Sequence, residues 1–284
     1  MTTRAYSTLG QRAYGEPMGI RLVTALESTG ADLFTTTQAV RQGMEIGLSA
    51  GHTATLLHHL SEGGRISRLK KGVYAINDPA SRMPKPHPFA IGGAMVVPSA
   101  VSHWSALQHW GLTEQVPSTI TLSSPIRTFP PDDEGPSITR RHAWMFSGLR
   151  YEFIAITRPR FFGDVEVWVN ERDRVSIFDR ERALLDTFHH FHIFGSLSVA
   201  LEILETHLAD LDIDRLVRYA ERLGIAAVVK RIGWALDYFG ASPEILEPLR
   251  AYPSKGDSPL DPGQPALGRH NRDWRVIENL NHGR

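Results

Sequence analysis

Residues 35–76, TTTQAVRQGMEIGLSAGHTATLLHHLSEGGRISRLKKGVYAI, hold two short helical patterns, a double glycine and a basic alternating segment, in an order that few folds accommodate. Thr37 is the expected N-cap of a first helix over 38–44, because its hydroxyl can accept an orphan amide there. Gly43 and Gly47 bracket a break, and Ser49 offers a second N-cap. In the next helix, expected over 50–62, Thr53, Leu56, Leu57 and Leu60 recur at three- and four-residue steps and share a buried face. His52, Thr55, His58, His59 and Glu62 fall on the opposite face. Gly63-Gly64 stops the helix, since glycine tolerates the left-handed conformation found at helix C-termini.

After that stop, Ile66 and Leu69 alternate with polar residues, Lys71-Gly72 forms a hairpin tip, and 73–76 returns as a β-prone strand. Two helices, a turn and a basic hairpin are the layout of a winged helix-turn-helix. A hairpin so placed sits beside a duplex whose recognition helix lies in the major groove, and its cations neutralise phosphates. The candidate DNA-contacting residues are Gln38, His52, Thr53, Thr55, His58 and His59 on the helices, with Arg65, Arg68, Lys70 and Lys71 on the wing. The alternative is a small helical domain with a solvated basic hairpin and no nucleic-acid role.

The 284-residue chain is long enough for two or three domains, and 42% apolar with 22% charged residues supports a real core. Formal net charge is zero, but residues 1–76 hold eight lysines and arginines against five acids, so the basic excess is N-terminal. The chain has no cysteine, which excludes disulfides, thiolate zinc sites and thiol catalysis. The first residues lack the apolar core of a secretory signal, and no run approaches the ~20 apolar residues that span a bilayer. A cytoplasmic location is the expectation.

Organisation follows from composition. The expected domains are 1–80, a winged helix-turn-helix whose first helix starts near Pro17; 81–89, a linker within the proline-rich DPASRMPKPHP; 90–250, an α/β domain; and 251–284, an extended C-terminal tail. The fold class is α+β, with the N-terminal winged domain followed by a larger mixed α/β domain whose C-terminal half is helical. Expected strands are 118–122, 151–157, 165–169 and 174–178, with a loop at 130–136; expected helices are 102–110, 180–191, 197–207, 213–223 and 226–239.

Several phrases beyond 89 resemble a known family: VSHWSALQHWGLTEQVPSTITLSS (101–124), RFFG (160–163), VSIFDRERALLD (175–186) and DIDRLVRYAERLGIAAVVKRIGWALDYFG (212–240). Together with the wing phrase GGRISRLKKGVYAI they resemble the AbiEi antitoxins of bacterial AbiE toxin–antitoxin systems, over about residues 20–240. The resemblance implies a transcriptional repressor that binds double-stranded DNA at repeated operator sequences in its own promoter. It also implies that the protein counteracts a nucleotidyltransferase-like toxin, directly or only functionally. Arg218, Lys230 and Arg231, within the family's helical phrases, are candidates for toxin control, with a solvated helix face as the alternative. Two other readings stay open: an antitoxin acting mainly by direct contact with the toxin, and an enzyme that modifies the toxin or its substrate.

Enzymatic signals are weak. FHHFH (188–192) has no carboxylate at ligand spacing, so a metal site is not expected. Asp179 reads as a helix cap and Glu181 as a first-turn partner of the helix dipole rather than as an acid pair with Asp186. The G-x-S-x-G elbow and both phosphate-binding glycine motifs are absent. Trp104, Trp110, Phe188, Phe191, Trp234 and Phe239 read as core. No catalytic residue, metal or cofactor is assigned.

Overall fold

The computed structural model describes residues 17–30, 32–127 and 143–280, so the loop expected at 130–136 lies outside the described residues. The chain divides into two compact units, Met1–Pro86 and His87–Arg284.

In the first unit, α1 (Met18–Ser28) begins immediately after Pro17 and buries Leu22 and Leu26. A short strand, β1 (Leu33–Thr35), leads into α2 (Thr36–Glu45). The N-cap is Thr35 rather than the expected Thr37. Its hydroxyl accepts from the Gln38 amide at 3.2 Å, while Gln38 Oε1 accepts from the Thr35 amide at 2.7 Å. This reciprocal pair satisfies two orphan donors, which a lone Thr37 hydroxyl cannot do. The second helix, α3 (Ala50–Glu62), is capped by Ser49 as expected, its hydroxyl accepting from the His52 amide. Gly64, at φ 67°, turns the chain into β2 (Ile66–Lys70). The hairpin returns as β3 (Val73–Ile76), which lies between β1 and β2 in an antiparallel sheet.

Packing holds this unit together. Leu22, Leu26, Phe34, Ala39, Leu48, Leu57, Leu60, Ile66 and Ile76 form one core, and each large apolar member contributes about 1.5–3 kcal/mol on burial. Phe34 and Tyr74, cross-strand partners, stack at 5.6 Å. α2 and α3 approach closely because position 43 is glycine: a β-carbon there would lie 2.4 Å from Thr53 Oγ1. The proline-rich segment is no free linker. Asp78 accepts from the Ala80 and Ser81 amides, Lys85 pairs with Glu27, and the Lys85 amide donates to the Ile76 carbonyl. Residues 78–86 therefore pack on the winged unit, because local side-chain bonds give a proline-rich stretch a fixed path. A fragment of residues 1–86 is expected to melt cooperatively by circular dichroism. A fragment ending at 77 should melt lower; equal midpoints would show that the segment adds nothing.

The second unit opens with α4 (Pro88–Met95), β4 (Ala100–Val101), α5 (His103–His109) and β5 (Thr119–Ser124). Next come β6 (Ala143–Phe146), β7 (Leu149–Ala155), β8 (Asp164–Trp168) and β9 (Arg174–Phe178). These strands form a six-stranded mixed sheet in the order β6-β7-β5-β4-β9-β8. The helical half is α6 (Arg180–His189), α7 (Phe191–Phe194), α8 (Leu197–His207), α9 (Ile213–Leu223), α10 (Ala226–Tyr238) and α11 (Pro243–Ala251). Phe188 and Trp234 are buried, while Trp104, Trp110, Phe191 and Phe239 are half-buried.

The C-terminal segment is not an extended tail. β10 (Ser258–Pro259), β11 (Arg269–Asn271) and β12 (Val276–Glu278) form a three-stranded sheet. Trp274 packs against Gly233 of α10 and donates its indole N–H to Asp237 at 2.8 Å. Asn279 is buried, and its amide donates to the carbonyls of Asp261 and Pro265. One large aromatic and a satisfied amide outweigh the glycine, proline and serine content that suggested an open chain.

The phrases that carried the family resemblance meet in this unit. Arg182 is buried, donates to the Arg160 carbonyl and to Asp186, and its guanidinium lies 4.5 Å and 4.6 Å over the rings of Phe162 and Phe178. Gly163, at φ 77° just before β8, has no room for a side chain, since an added β-carbon would lie 2.9 Å from the Arg182 β-carbon. Asp179 caps α6 through the Arg182 amide, as expected, and accepts from the Tyr219 hydroxyl at 2.8 Å. Burial first, then Asp179, pushes the Tyr219 phenol up to about 12. Glu181 accepts from the Asp212 amide and pairs with Arg215.

Candidate nucleic-acid interface

The surface of α3 follows directly from its periodicity. Thr53, Leu57 and Leu60 are buried on one side, and His52, Thr55, His58 and His59 are exposed on the other. Thr53 is therefore withdrawn from the base-reading set: it is fully buried, donates to the Ser49 carbonyl at 3.0 Å, and packs against Gly43. Thr55 remains available, with its hydroxyl resting on the Gly51 carbonyl at 3.2 Å. Gln38 is half-buried, and its side-chain carbonyl is committed to the capping box. Its carboxamide N–H group is what it can still offer to a phosphate or base.

Two residues that sequence reasoning passed over belong to this face. Gly51 and Ala54 are exposed, and a β-carbon added at Gly51 meets nothing within 4 Å. Small side chains in the first turns of a helix let its backbone approach a groove floor closely. The signal was present as the run AGHTAT, but small residues carry no chemistry of their own and are easily read as filler.

The hairpin supplies charge beside this face. Arg65, Arg68 and Lys71 are exposed, and Lys70 is half-buried. The strands shift register between Arg68 and Lys70, and Arg68 Nε donates to the Lys70 carbonyl at 3.4 Å. Such an irregularity re-aims side chains at the end of a strand. Gly72, at φ 77°, makes the tip. Arg82, next to Gly64 in space, and Arg41 on α2 add two further exposed cations that the sequence reading left out. A helix with an exposed polar N-terminal face next to a cationic hairpin can place base-contacting groups in a groove while cations meet phosphates on the flank.

The second unit treats its candidates differently. Arg218 is exposed on α9. Lys230 and Arg231 are buried, which removes them from any surface for toxin control. Lys230 donates to the carbonyls of Leu249 and Arg250 at 3.0 Å and 2.7 Å, closing the C-terminus of α11, and Arg231 donates to the Pro259 carbonyl at 3.1 Å. Burial lowers the Arg231 guanidinium to about 10. A cation on orphan helix carbonyls is a structural clamp. Among the described residues, no helix is long and apolar enough to cross a membrane.

Comparison with known proteins agrees with this division. Residues 21–77, from α1 to the residue after β3, match the family described as transcriptional regulator, AbiEi antitoxin. In structure, the chain is similar to the crystal structure of the RV2827C protein from Mycobacterium tuberculosis, with a TM-score of 0.59 and 16% sequence identity over 92% of this chain and 90% of that one. That likeness is one of fold. No curated protein matches the chain in sequence. The family likeness thus rests on residues 21–77 of the N-terminal winged unit, which are similar to the AbiEi transcriptional regulators.

Proposed function

We propose that this protein is a DNA-binding transcriptional repressor of its own operon and the antitoxin to a nucleotidyltransferase-like toxin. The observation that carries the reading is the exposed N-terminal face of α3 flanked by the Arg65, Arg68 and Lys71 hairpin, on a unit that matches an AbiEi regulator. α3 enters the major groove with His52 and Thr55 over base edges, and the hairpin cations sit on the adjacent phosphates. The repeated operators and the toxin class come from the family resemblance.

Salt dependence tests the docking. Each phosphate neutralised contributes about 0.9 to the slope of log affinity against log salt on B-DNA. The double variant Arg68→Ala/Lys71→Ala is expected to weaken binding to operator and random duplex alike, and to flatten that slope by about one to two units. An unchanged slope, measured by fluorescence anisotropy, would take the hairpin out of the interface.

A second reading, direct contact with the toxin, draws on the edge of the large sheet. Among the described residues β8 is an edge strand, and Val165 and Trp168 are exposed on it, Trp168 at 64%. Exposed apolar side chains on an unpaired strand edge favour pairing with another chain. Arg218→Ala and Trp168→Ala variants are expected to keep operator binding. Loss of toxin co-purification in either would support this reading; undiminished co-purification and rescue in both would remove these positions from it.

A further inference from the structure

Three side chains of the second unit converge from two directions. His103 Nε2 and His190 Nδ1 lie 2.8 Å apart. With a carboxylate oxygen of Asp186, their ligand atoms all fall within 4.8 Å of one another. Asp186 is on α6 and His190 follows it by four residues, which puts both on one face. The sequence expectation that no carboxylate stands at ligand spacing from the FHHFH tract is thereby corrected, with His190 as the participant. His103 arrives from 83 residues upstream and pays a backbone penalty to do so. It has φ 52°, a left-handed conformation that is strained for a non-glycine residue. Strain held at a fully buried histidine needs a compensating interaction.

Two of the three donors are fixed from behind. His103 Nδ1 is 2.8 Å from Ser102 Oγ, which accepts in turn from Ser123 Oγ at 3.0 Å, and both serines are fully buried. Asp186 Oδ1 accepts from Arg182 at 3.0 Å. This is the outer-atom anchoring that orients metal ligands. What remains is Asp186 Oδ2, fully buried and without a hydrogen-bond partner. A buried polar atom left so carries its desolvation penalty uncompensated. A direct contact between the two imidazoles pairs two nitrogens and leaves this oxygen alone. One cation among the three satisfies all of them.

We propose that His103 Nε2, His190 Nδ1 and Asp186 Oδ2 bind one divalent transition-metal ion, zinc by preference, with a fourth position open to water. Two imidazoles and a carboxylate form a borderline donor set that suits Zn²⁺ and falls short of the all-oxygen shell that Mg²⁺ and Ca²⁺ require. Metal–ligand lengths of about 2.0–2.2 Å put tetrahedral ligands roughly 3.3 Å apart, so the two rings open slightly from their present contact. His190 is half-buried while the other two ligands are buried, so the ion enters on the His190 side. Arg182 opposes a second positive charge nearby. That opposition keeps the affinity below that of four-ligand structural sites. The bound ion ties the start of α5 to the end of α6.

The test uses the full chain, stripped with chelator and dialysed. Titration with Co²⁺ alone should produce visible d–d absorption that saturates at one equivalent and disappears on addition of Zn²⁺. Zn²⁺ should raise the melting temperature of the wild type. His190→Gln, at a half-buried position, and Asp186→Asn, which keeps the bond from Arg182, should each lower the affinity at least tenfold and abolish the thermal shift. Absence of Co²⁺ absorption in the wild type, whose fold is not in question, overturns the proposal. Equal affinity in the wild type and a folded His190→Gln variant overturns it too, since the metal then sits elsewhere, on other histidines such as His58 and His59.

Discussion

Replacing Ala54 with glutamate is expected to weaken operator binding about 100-fold or more while leaving the melting temperature of the winged unit nearly unchanged. Ala54 is exposed on α3 and lies outside the unit's core. Glutamate is a good helix former, and the exchange costs the helix only a few tenths of a kcal/mol. The effect on DNA is of a different size. A carboxylate carried into the groove faces phosphates and base acceptors, and juxtaposed like charges cost several kcal/mol at an interface. About 3 kcal/mol already corresponds to more than 100-fold in affinity. Ala54→Ser, which keeps the side chain small and uncharged, should bind within a few-fold of the wild type. If Ala54→Glu bound operator normally, α3 would not be the helix in the groove.

The second large effect concerns stability. Gly233→Ala should destabilise the second unit by about 3–5 kcal/mol, although glycine to alanine inside a helix ordinarily stabilises by about 0.5–1 kcal/mol. The clash decides the sign. An added β-carbon would lie 2.0 Å from Trp274 Cζ3, and Trp274 is 1% exposed. α10 cannot move away, since Lys230 and Arg231 bind it to α11 and to Pro259. The indole must therefore leave its site, losing the burial of a tryptophan and its bond to Asp237. Gly93→Ala in α4 is the control: nothing lies within 4 Å of its added β-carbon, so it should be neutral or slightly stabilising. Urea unfolding followed by near-ultraviolet circular dichroism reads both variants. A stable Gly233→Ala protein with an intact tryptophan signal would contradict the packing of the C-terminal segment.

What could be read ahead of the structure was what local interactions determine. The Ser49 cap, the 50–62 helix, the Gly63-Gly64 stop and the hairpin tip are set by residues within a few positions of one another, and α8 and α9 follow their periodicity to the residue. The Thr35 cap was also local, but three consecutive threonines hid it, and the partner at Gln38 was the clue to use. β1 escaped notice because three residues acquire strand geometry only by pairing with β3, forty positions away. Lys230 and Arg231 looked like surface cations because charge was read without the partners that cover α10. Their carbonyl acceptors at 249, 250 and 259 are supplied by later elements. Still longer separations part Trp274 from Gly233, and His103 from Asp186 and His190. Among the DNA-facing candidates, helical phase already put Thr53 on the buried side of α3 and Thr55 on the other, and the Gly43 contact then withdrew Thr53 from the set.

The most direct test of the central claim is a gel shift of the full-length protein with the DNA immediately upstream of its own gene, against a random duplex of equal length at about physiological salt. The account predicts a discrete complex on the upstream DNA at a concentration at least 1,000-fold below that needed for the random duplex, in line with specific binding by helix-turn-helix proteins. Equal affinity for the two duplexes, or no complex with either, would contradict it.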